Sequence, residues 1–416
     1  MSNKRQAADT AFQNRIYDNA MMQRVRQIRT DGHYLYHKAQ TPAGQNEADI
    51  DGRRLLLLGS TNYLGLAQDP RVVEAASRAS EKYGTSCTSS RLLTGTRPVH
   101  EELETRLAHF LGKEAALVFT TGYLANIGAI PALIGRHDGA YFDAEVHACI
   151  LDGVMLSGAE RYRIRHNNVE DLSARLAGSE HERKLVLIDS IYSLAGDVAP
   201  LEQIVDVADK HGAWVMLDDA HGCGVLGPQG RGLAHATGMT DRIPVIMGVF
   251  SKCFASTGGF VAGSADLIDH LRFNARSFLF SNALAPGQAA AALASLDILI
   301  AEPEIAERAC ALGDRARQAL RSMGWRCGGD GTQMVPILLG NDALAFKVTM
   351  ALADAGVLVS PAVNPGVPKG KDLLRITFPP TLTEAGFCRA LEAFQTVSTR
   401  FPEALTGAGE SAMSAA

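Results

Sequence analysis

The sequence predicts an α/β chain, with a mostly parallel β-sheet sandwiched by helices and a smaller C-terminal α+β domain. Three observations carry this expectation. First, between about residues 115 and 250, short apolar runs alternate with helical stretches. Strands buried on both faces read as such runs, and their recurrence between helices implies a parallel sheet covered on both sides. Second, 46% of the 416 residues are hydrophobic and 20% are charged, a soluble globular balance that excludes wholesale disorder. Third, the rhythm changes after about residue 290, where long helices precede a smaller strand-and-helix unit. The length suits two or three domains, or one large core with a satellite.

In chain order, residues 1–50 read as an N-terminal helical arm followed by a polar loop, TPAGQNEADIDG. His33 and His37 stand one helical turn apart there, but no acidic partner lies between them, so they are read as packing or solvent-facing rather than metal-binding. RRLLLLGSTNYLGL starts a strand and leads into a turn. Pro70 opens a helix that Gly84 stops, and a second helix runs from about Pro98 to Leu111 with Val99, Leu103, Leu107, Phe110 and Leu111 on one stripe. The strands that follow are AALVF (115–119), GAYFD (139–143), KLVLID (184–189), AWVMLD (213–218) and PVIMG (244–248). The uncharged run Ala115–Gly135 is long enough to raise the question of a membrane span. Thr120, Thr121, Asn126, its glycines and Pro131 make it a strand, a turn and a buried helix instead. The expected divisions are a large domain over 51–290, a small one over 291–401 and a flexible tail over 402–416.

Charge narrows the function classes. Forty Lys+Arg against 45 Asp+Glu leave a net charge of −5, with no long basic run to bind nucleic acid. The N-terminus lacks the apolar segment of a secretory signal. Seven cysteines, an odd number with no C-x-x-C pair, argue against a disulfide framework and for a reducing, cytoplasmic setting.

Two motifs compete for the chemistry. HGCGVLG (221–227) has the G-x-G-x-x-G spacing after a strand, but PQGRG follows it, and that is turn chemistry rather than the helix a dinucleotide site needs. The stronger constellation is Asp218 and Asp219 closing the strand AWVMLD, with His221 on the same turn. Lys252 follows in the small-residue loop GVFSKCFASTGG, preceded by Ser251. A pyridoxal 5'-phosphate (PLP) enzyme needs a lysine for covalent attachment and a carboxylate on the pyridinium nitrogen, both from one sheet edge. TTGYLAN (120–126) follows a strand and opens a helix, so its N–H groups and Thr121 suit a phosphate. His147, in DAEVHACILDG at the next strand end, suits a ring stacked on the cofactor.

These segments resemble the α-oxoamine synthases of fold-type I PLP-dependent transferases, a family that includes serine palmitoyltransferase, 8-amino-7-oxononanoate synthase, 2-amino-3-ketobutyrate CoA ligase and 5-aminolevulinate synthase. The resemblance runs from about Leu55 to Phe401 through STNYLGL, SSRLLTGT, FTTGYLANIGAI, DAEVHACILDG, RIRHNNVEDL, DSIYSLAGDVAPL, LDDAHGCGVLGPQGRG, FSKCFASTGGF, FLFSNALAP and VPKGKDLLR. It implies Lys252 as the Schiff-base lysine, Asp218 on the ring nitrogen, His147 on the ring face and His221 near the phenolic oxygen. It implies Thr121, Gly122, Tyr123, Ser193 and Ser251 around the cofactor, and Asn62, Arg91 and Arg375 on the substrate side, Arg375 holding its carboxylate. Ser281 is implied to reach the partner subunit's phosphate, which makes a homodimer with shared sites. No metal is implied. The implied reaction is decarboxylative condensation of a small amino acid with an acyl thioester carried on coenzyme A or an acyl carrier protein.

The chain also departs from the family pattern. Val249 stands where a phosphate-binding threonine is usual, and Val146 and Cys149 flank His147 where serines are usual. PAVNPGVPKG lacks the arginine that bacterial serine palmitoyltransferases carry there, FLFSNALAP and VPKGK look closer to the aminoketobutyrate ligases, and DSIYS is similar to quorum-signal α-aminoketone synthases. Ser90 before Arg91 favours alanine or serine over glycine. These cues leave the subfamily open, with an aminotransferase of the same fold as a further alternative.

Overall fold

The structure is a computed structural model that describes residues 2–406 except 18, 35 and 365. Two helices, Ser2–Tyr17 and Ala20–Thr30, form the N-terminal arm, the second capped by Asn19, which accepts the Met22 N–H at 2.9 Å. TPAGQNEADIDG, expected as a loop, instead supplies two strands, β1 (Thr41–Pro42) and β2 (Glu47–Ile50), with β3 (Arg53–Leu57) beside them. The physical reason is that Ala48 and Ile50 alternate with polar neighbours and bury against Leu55, a two-residue period hidden within a polar segment.

Seven strands build the main sheet: β4 (Ala115–Phe119), β5 (Gly139–Asp143), β6 (Glu160–Ile164), β7 (Lys184–Asp189), β8 (Trp214–Asp218), β9 (Val245–Val249) and β10 (Gly259–Gly263). Their order is β4-β10-β9-β8-β7-β5-β6, and the pairs among β5 to β9 are parallel, whereas β10 runs antiparallel to both neighbours. This is the expected mostly parallel sheet. Two of its strands have no clear mark in the sequence. ERYRI forms the outer strand β6, where only Ile164 is fully buried, so it carries no apolar run. GFVAG is fully buried in β10, and Phe260 lies directly across from Gly248, where a side chain's Cβ would come within 2.3 Å of the ring.

The remaining strands are β11 (Met334–Leu338), β12 (Val357–Leu358), β13 (Ser360–Ala362) and β14 (Leu373–Thr377). β11, β14 and β13 form an antiparallel sheet, while β12 joins β3 in parallel. Packing therefore crosses the chain order. Leu56 and Leu58 belong to the core of Trp325, Val335, Leu352, Phe378 and Phe394, whereas Ala289, Leu296 and Leu299 of the helix Pro286–Ala301 pack with the main sheet. Residues 403–406 of the expected tail make a helical turn whose Ala404 is buried in that second core; residues 407–416 lie outside the described residues. The run Ala115–Gly135 becomes β4 and the buried helix Gly122–Leu133. Among the described residues no helix is long and apolar enough to cross a membrane.

Candidate active site

The carboxyl ends of β5, β7, β8 and β9 meet the start of the helix Gly122–Leu133 around a cavity of ≈ 310 Å³. Ligands of open α/β sheets bind at this edge, where the strand ends leave a crevice. β8 delivers Asp218, whose Oδ2 accepts the Asn126 Nδ2–H at 2.7 Å and whose Oδ1 accepts the Ala220 N–H at 3.0 Å. β9 leads into Ser251 and Lys252, both on the cavity wall. β5 leads to His147, which caps the helix Ala148–Ser157 and donates its backbone N–H to Asp189 Oδ2 at the end of β7, 3.2 Å away. Thr121 caps the helix Gly122–Leu133 by accepting the Leu124 N–H at 3.1 Å, which leaves that helix's first N–H groups beside the cavity. The approach is close because a Cβ on Gly122 would come within 2.2 Å of Val249 Cγ1, and one on Gly259 within 2.6 Å of the Gly122 Cα.

Burial sets the charges. It pulls the Lys252 ammonium below its ordinary pKa, against the opposing pull of Asp218. Burial, reinforced by the charges of Lys252, Arg375 and His147, holds the His221 imidazole well below its usual value. His221 Nδ1 lies 2.7 Å from the buried Tyr63 hydroxyl, and its carbonyl accepts the Gln333 Nε2–H at 2.8 Å. The Asp189 carboxyl is pushed well up by burial and by the charge of Asp218. Asp219, next to Asp218, points the other way and accepts the Leu233 N–H at 3.1 Å; burial pushes it up to about 7.

Of the residues singled out in the sequence, Thr121, Gly122, Tyr123, His147, Asp218, His221, Ser251 and Lys252 line this one cavity. Arg375, on β14, approaches from the small sheet and donates from Nη1 to the Ser193 carbonyl at 3.1 Å, so Ser193 meets the site through its backbone. Asn62 accepts the Ala67 N–H at 3.3 Å and lines a separate cavity of ≈ 260 Å³. Ser281 does not line its own chain's cavity. Arg91, expected on the substrate, is held elsewhere: both its Nη groups lie 2.9 Å from Glu104 in a buried ion pair, and Glu104 also accepts the Val118 N–H at 2.9 Å. A guanidinium so fully engaged has no free fork for a carboxylate, and breaking such a pair costs about 3–5 kcal/mol.

Sequence reasoning passed over Tyr63, Asn126 and Asp189. Each had a signal: Tyr63 sits in the NYLG turn, Asn126 ends TTGYLAN, and Asp189 closes an apolar strand as Asp218 does. The donor set fits PLP. One lysine and two buried carboxylates, Asp218 and Asp189, face the same cavity as a helix N-terminus, and Asp189 Oδ1 is buried there without a protein partner.

The aminotransferase class I and II family matches residues 53–394. The chain is 42% identical over 360 residues to a serine palmitoyltransferase of Sphingobacterium spiritivorum, covering 86% of this chain and 90% of the relative. It is 42% identical over 355 residues to an 8-amino-7-oxononanoate synthase of Anaeromyxobacter dehalogenans, covering 85% and 89%. Serine palmitoyltransferase solved with a PLP internal aldimine superposes with a TM-score of 0.90 at 35% identity, over 94% of this chain and 99% of that one. The Sphingomonas wittichii serine palmitoyltransferase gives 0.89 at 34%, over 93% and 98%. Every residue that lines the ≈ 310 Å³ cavity falls within the matched span. The chain belongs to the α-oxoamine synthase family of PLP-dependent, fold-type I C-acyltransferases.

Proposed function

We propose that this enzyme condenses a small amino acid, alanine or serine in preference to glycine, with an acyl thioester, releasing carbon dioxide and free thiol and forming an α-amino ketone. The observation that carries the reading is the convergence of Lys252, Asp218 and a helix N-terminus on one cavity. Relatives named serine palmitoyltransferase and 8-amino-7-oxononanoate synthase support it.

PLP would be held covalently by Lys252, at its ring nitrogen by Asp218, on its ring face by His147 and beside its phenolic oxygen by His221. Thr121, Gly122, Tyr123 and Ser251 would lie around its phosphate and ring edge, with Ser281 of a second copy reaching the phosphate in a homodimer. Bound there, PLP supplies an electron sink for charge that develops at the substrate's α-carbon. Arg375 holds the amino acid's carboxylate through its forked N–H groups. Its contact with the Ser193 carbonyl supports that placement. Lys252, with its ammonium weakened by burial, takes up the α-proton on Nζ. Asp218, fixed by Asn126 and the Ala220 N–H, holds a proton on the ring nitrogen. His147 donates a hydrogen bond to the thioester oxygen as negative charge gathers there. Met247 and Val249 on the cavity wall exclude water that would hydrolyse the thioester. The acyl group arrives on coenzyme A or an acyl carrier protein, in the cytoplasm.

A panel of amino acids and acyl-CoAs, assayed for thiol and carbon dioxide, tests this reading. Equal release of both with alanine or serine is expected. Amino-group transfer to a keto acid without either product would establish an aminotransferase instead. For the shared site, Lys252→Ala chains mixed with chains altered at Ser281 should regain activity once subunits exchange, and verified exchange without recovery would remove Ser281 from the partner's site.

A further inference from the structure

Cys149, one of the residues that departs from the family pattern, is the second residue of the helix that His147 caps. It is buried, and its Sγ lies 2.9 Å from His147 Nδ1, while its backbone N–H reaches the same nitrogen at 3.3 Å. A main-chain N–H can only donate, so Nδ1 presents its lone pair to it, and the neutral ring carries its proton on Nε2. The sulfur is oriented from the other side. Asn126 Nδ2 donates to Sγ at 3.0 Å and to Asp218 Oδ2 at 2.7 Å, and since a carboxylate oxygen only accepts, the Asn126 amide has one orientation. With Sγ accepting from Asn126, its own hydrogen is free for His147 Nδ1. A directed chain results, in which Asn126 donates to both Asp218 and Cys149, and Cys149 donates to His147.

We propose that Cys149 is a positioning residue that locks His147 in the Nε2–H tautomer, leaving the ring's one donor for the reacting atoms. The proposal rests on the reading of His147 as a hydrogen-bond donor to substrate. Burial pushes the thiol up to about 12, so it stays protonated and able to donate. Protonating Nδ1 would set an N–H against two donors, and this works in the same direction as burial, which already lowers the His147 pKa. The other groups around the imidazole are Asp218, which favours its charge, Lys252, which opposes it, Asp189 on its backbone N–H, and Tyr123, edge-on at 6.4 Å.

The test follows the His147 ring nitrogens by NMR in the full-length chain with isotopically labelled histidine, before and after PLP is added. His147→Asn identifies the signals. Wild type and Cys149→Ser are expected to show Nδ1 unprotonated and Nε2 protonated. Cys149→Ala, or the better-filling Cys149→Val, is expected to show both tautomers and about a tenfold rise in proton affinity, moving the acidic limb of the kcat profile to higher pH. A protonated Nδ1 in wild type overturns the proposal. So does an unchanged tautomer and titration in both Cys149→Ala and Cys149→Val, because the backbone N–H would then suffice. Failure of the underlying reading is separate: normal turnover by His147→Phe, which has no side-chain donor, would remove the donor role while leaving the tautomer result standing.

Discussion

The two ends of the main sheet carry cavities of opposite character. At the amino ends of β7 and β8 lies the larger, ≈ 710 Å³, lined by Leu133, Ile134, Leu185, Leu267 and the half-exposed Trp214. At the carboxyl ends lies the smaller, ≈ 310 Å³, walled by Lys252, Asp218, Asp189, His147 and His221. Charged groups at the amino end, such as the Arg183–Asp138 pair at 2.9 Å, leave the arginine in water. At the carboxyl end Asp218, Asp189 and His221 are buried and Lys252 is partly so, and the pKa values of Lys252, Asp189 and His221 are driven off their ordinary range. Volume therefore does not mark this site. Desolvated, mutually interacting titratable groups do, because only there can a side chain be poised to give or take a proton near neutral pH.

The comparison predicts that substitutions at the carboxyl edge silence the enzyme and those at the amino edge do not. Lys252→Ala should have the largest effect, lowering turnover by about a thousandfold or more, and borohydride reduction of the PLP-loaded wild type should label Lys252 by mass spectrometry. A label elsewhere would break the assignment. Asp218→Asn comes next. It keeps the shape but removes the charge, and at about 1.4 kcal/mol per pKa unit the loss of this pairing slows turnover by about a hundredfold or more; near-normal steady-state rates would count decisively against it. Tyr63→Phe strips the hydroxyl from His221 Nδ1 and leaves that nitrogen buried. We expect about 1–3 kcal/mol lost in denaturant unfolding, with a turnover decrease smaller than for Asp218→Asn.

The two edges also respond differently to pH. His166 sits between Asp143 at 2.8 Å and Asp197 at 2.6 Å, close to the loop that carries His147. Burial opposes its charge, but the two carboxylates outweigh it and raise the imidazole to about 10. Because the folded value is raised, this stabilisation is full below the unfolded value of about 6.5. It is lost as pH climbs through about 10. Asp138 behaves the other way. Burial disfavours its charge, yet Arg183 and the Gly135 N–H outweigh that and hold its carboxyl below the usual range. Its contribution is present above about 3.9 and lost as pH falls through the lowered value. Unfolding measured across pH should therefore show His166→Asn flattening the alkaline loss and Asp138→Asn flattening part of the acid one; a reversed pairing would contradict both assignments. The smallest effect is expected for Trp214→Ala at the amino-edge cavity, with stability changing by about 0.5 kcal/mol and turnover by less than about twofold. A large loss of activity there would end the distinction between the edges.

What the amino-acid sequence determined by itself was local. Apolar runs placed β4, β5 and β7, and placed β8 and β9 to within a residue at their starts. Asp69 with Pro70 and Gly84 bounded a helix because cap chemistry acts within a turn. Lys252, Asp218 and His147 were legible because each follows such a strand, and strand ends of a parallel sheet share one edge. The tertiary structure decided what depends on partners far along the chain. The hydroxyl of Tyr63 meets a ring 158 residues away, and Asn126 meets a carboxylate 92 residues away. The ion pair of Arg91 shows the same limit, since its motif marks a functional segment without saying which way the guanidinium turns. β6 and β10 escaped notice because one is a charged edge and the other is a short stretch whose Gly259 admits the Gly122 helix and whose Phe260 packs over Gly248 of β9. Periodicity records which face of an element is buried, whereas hydrogen-bond partners are chosen by how those faces meet, and nothing short of the assembled fold specifies that meeting.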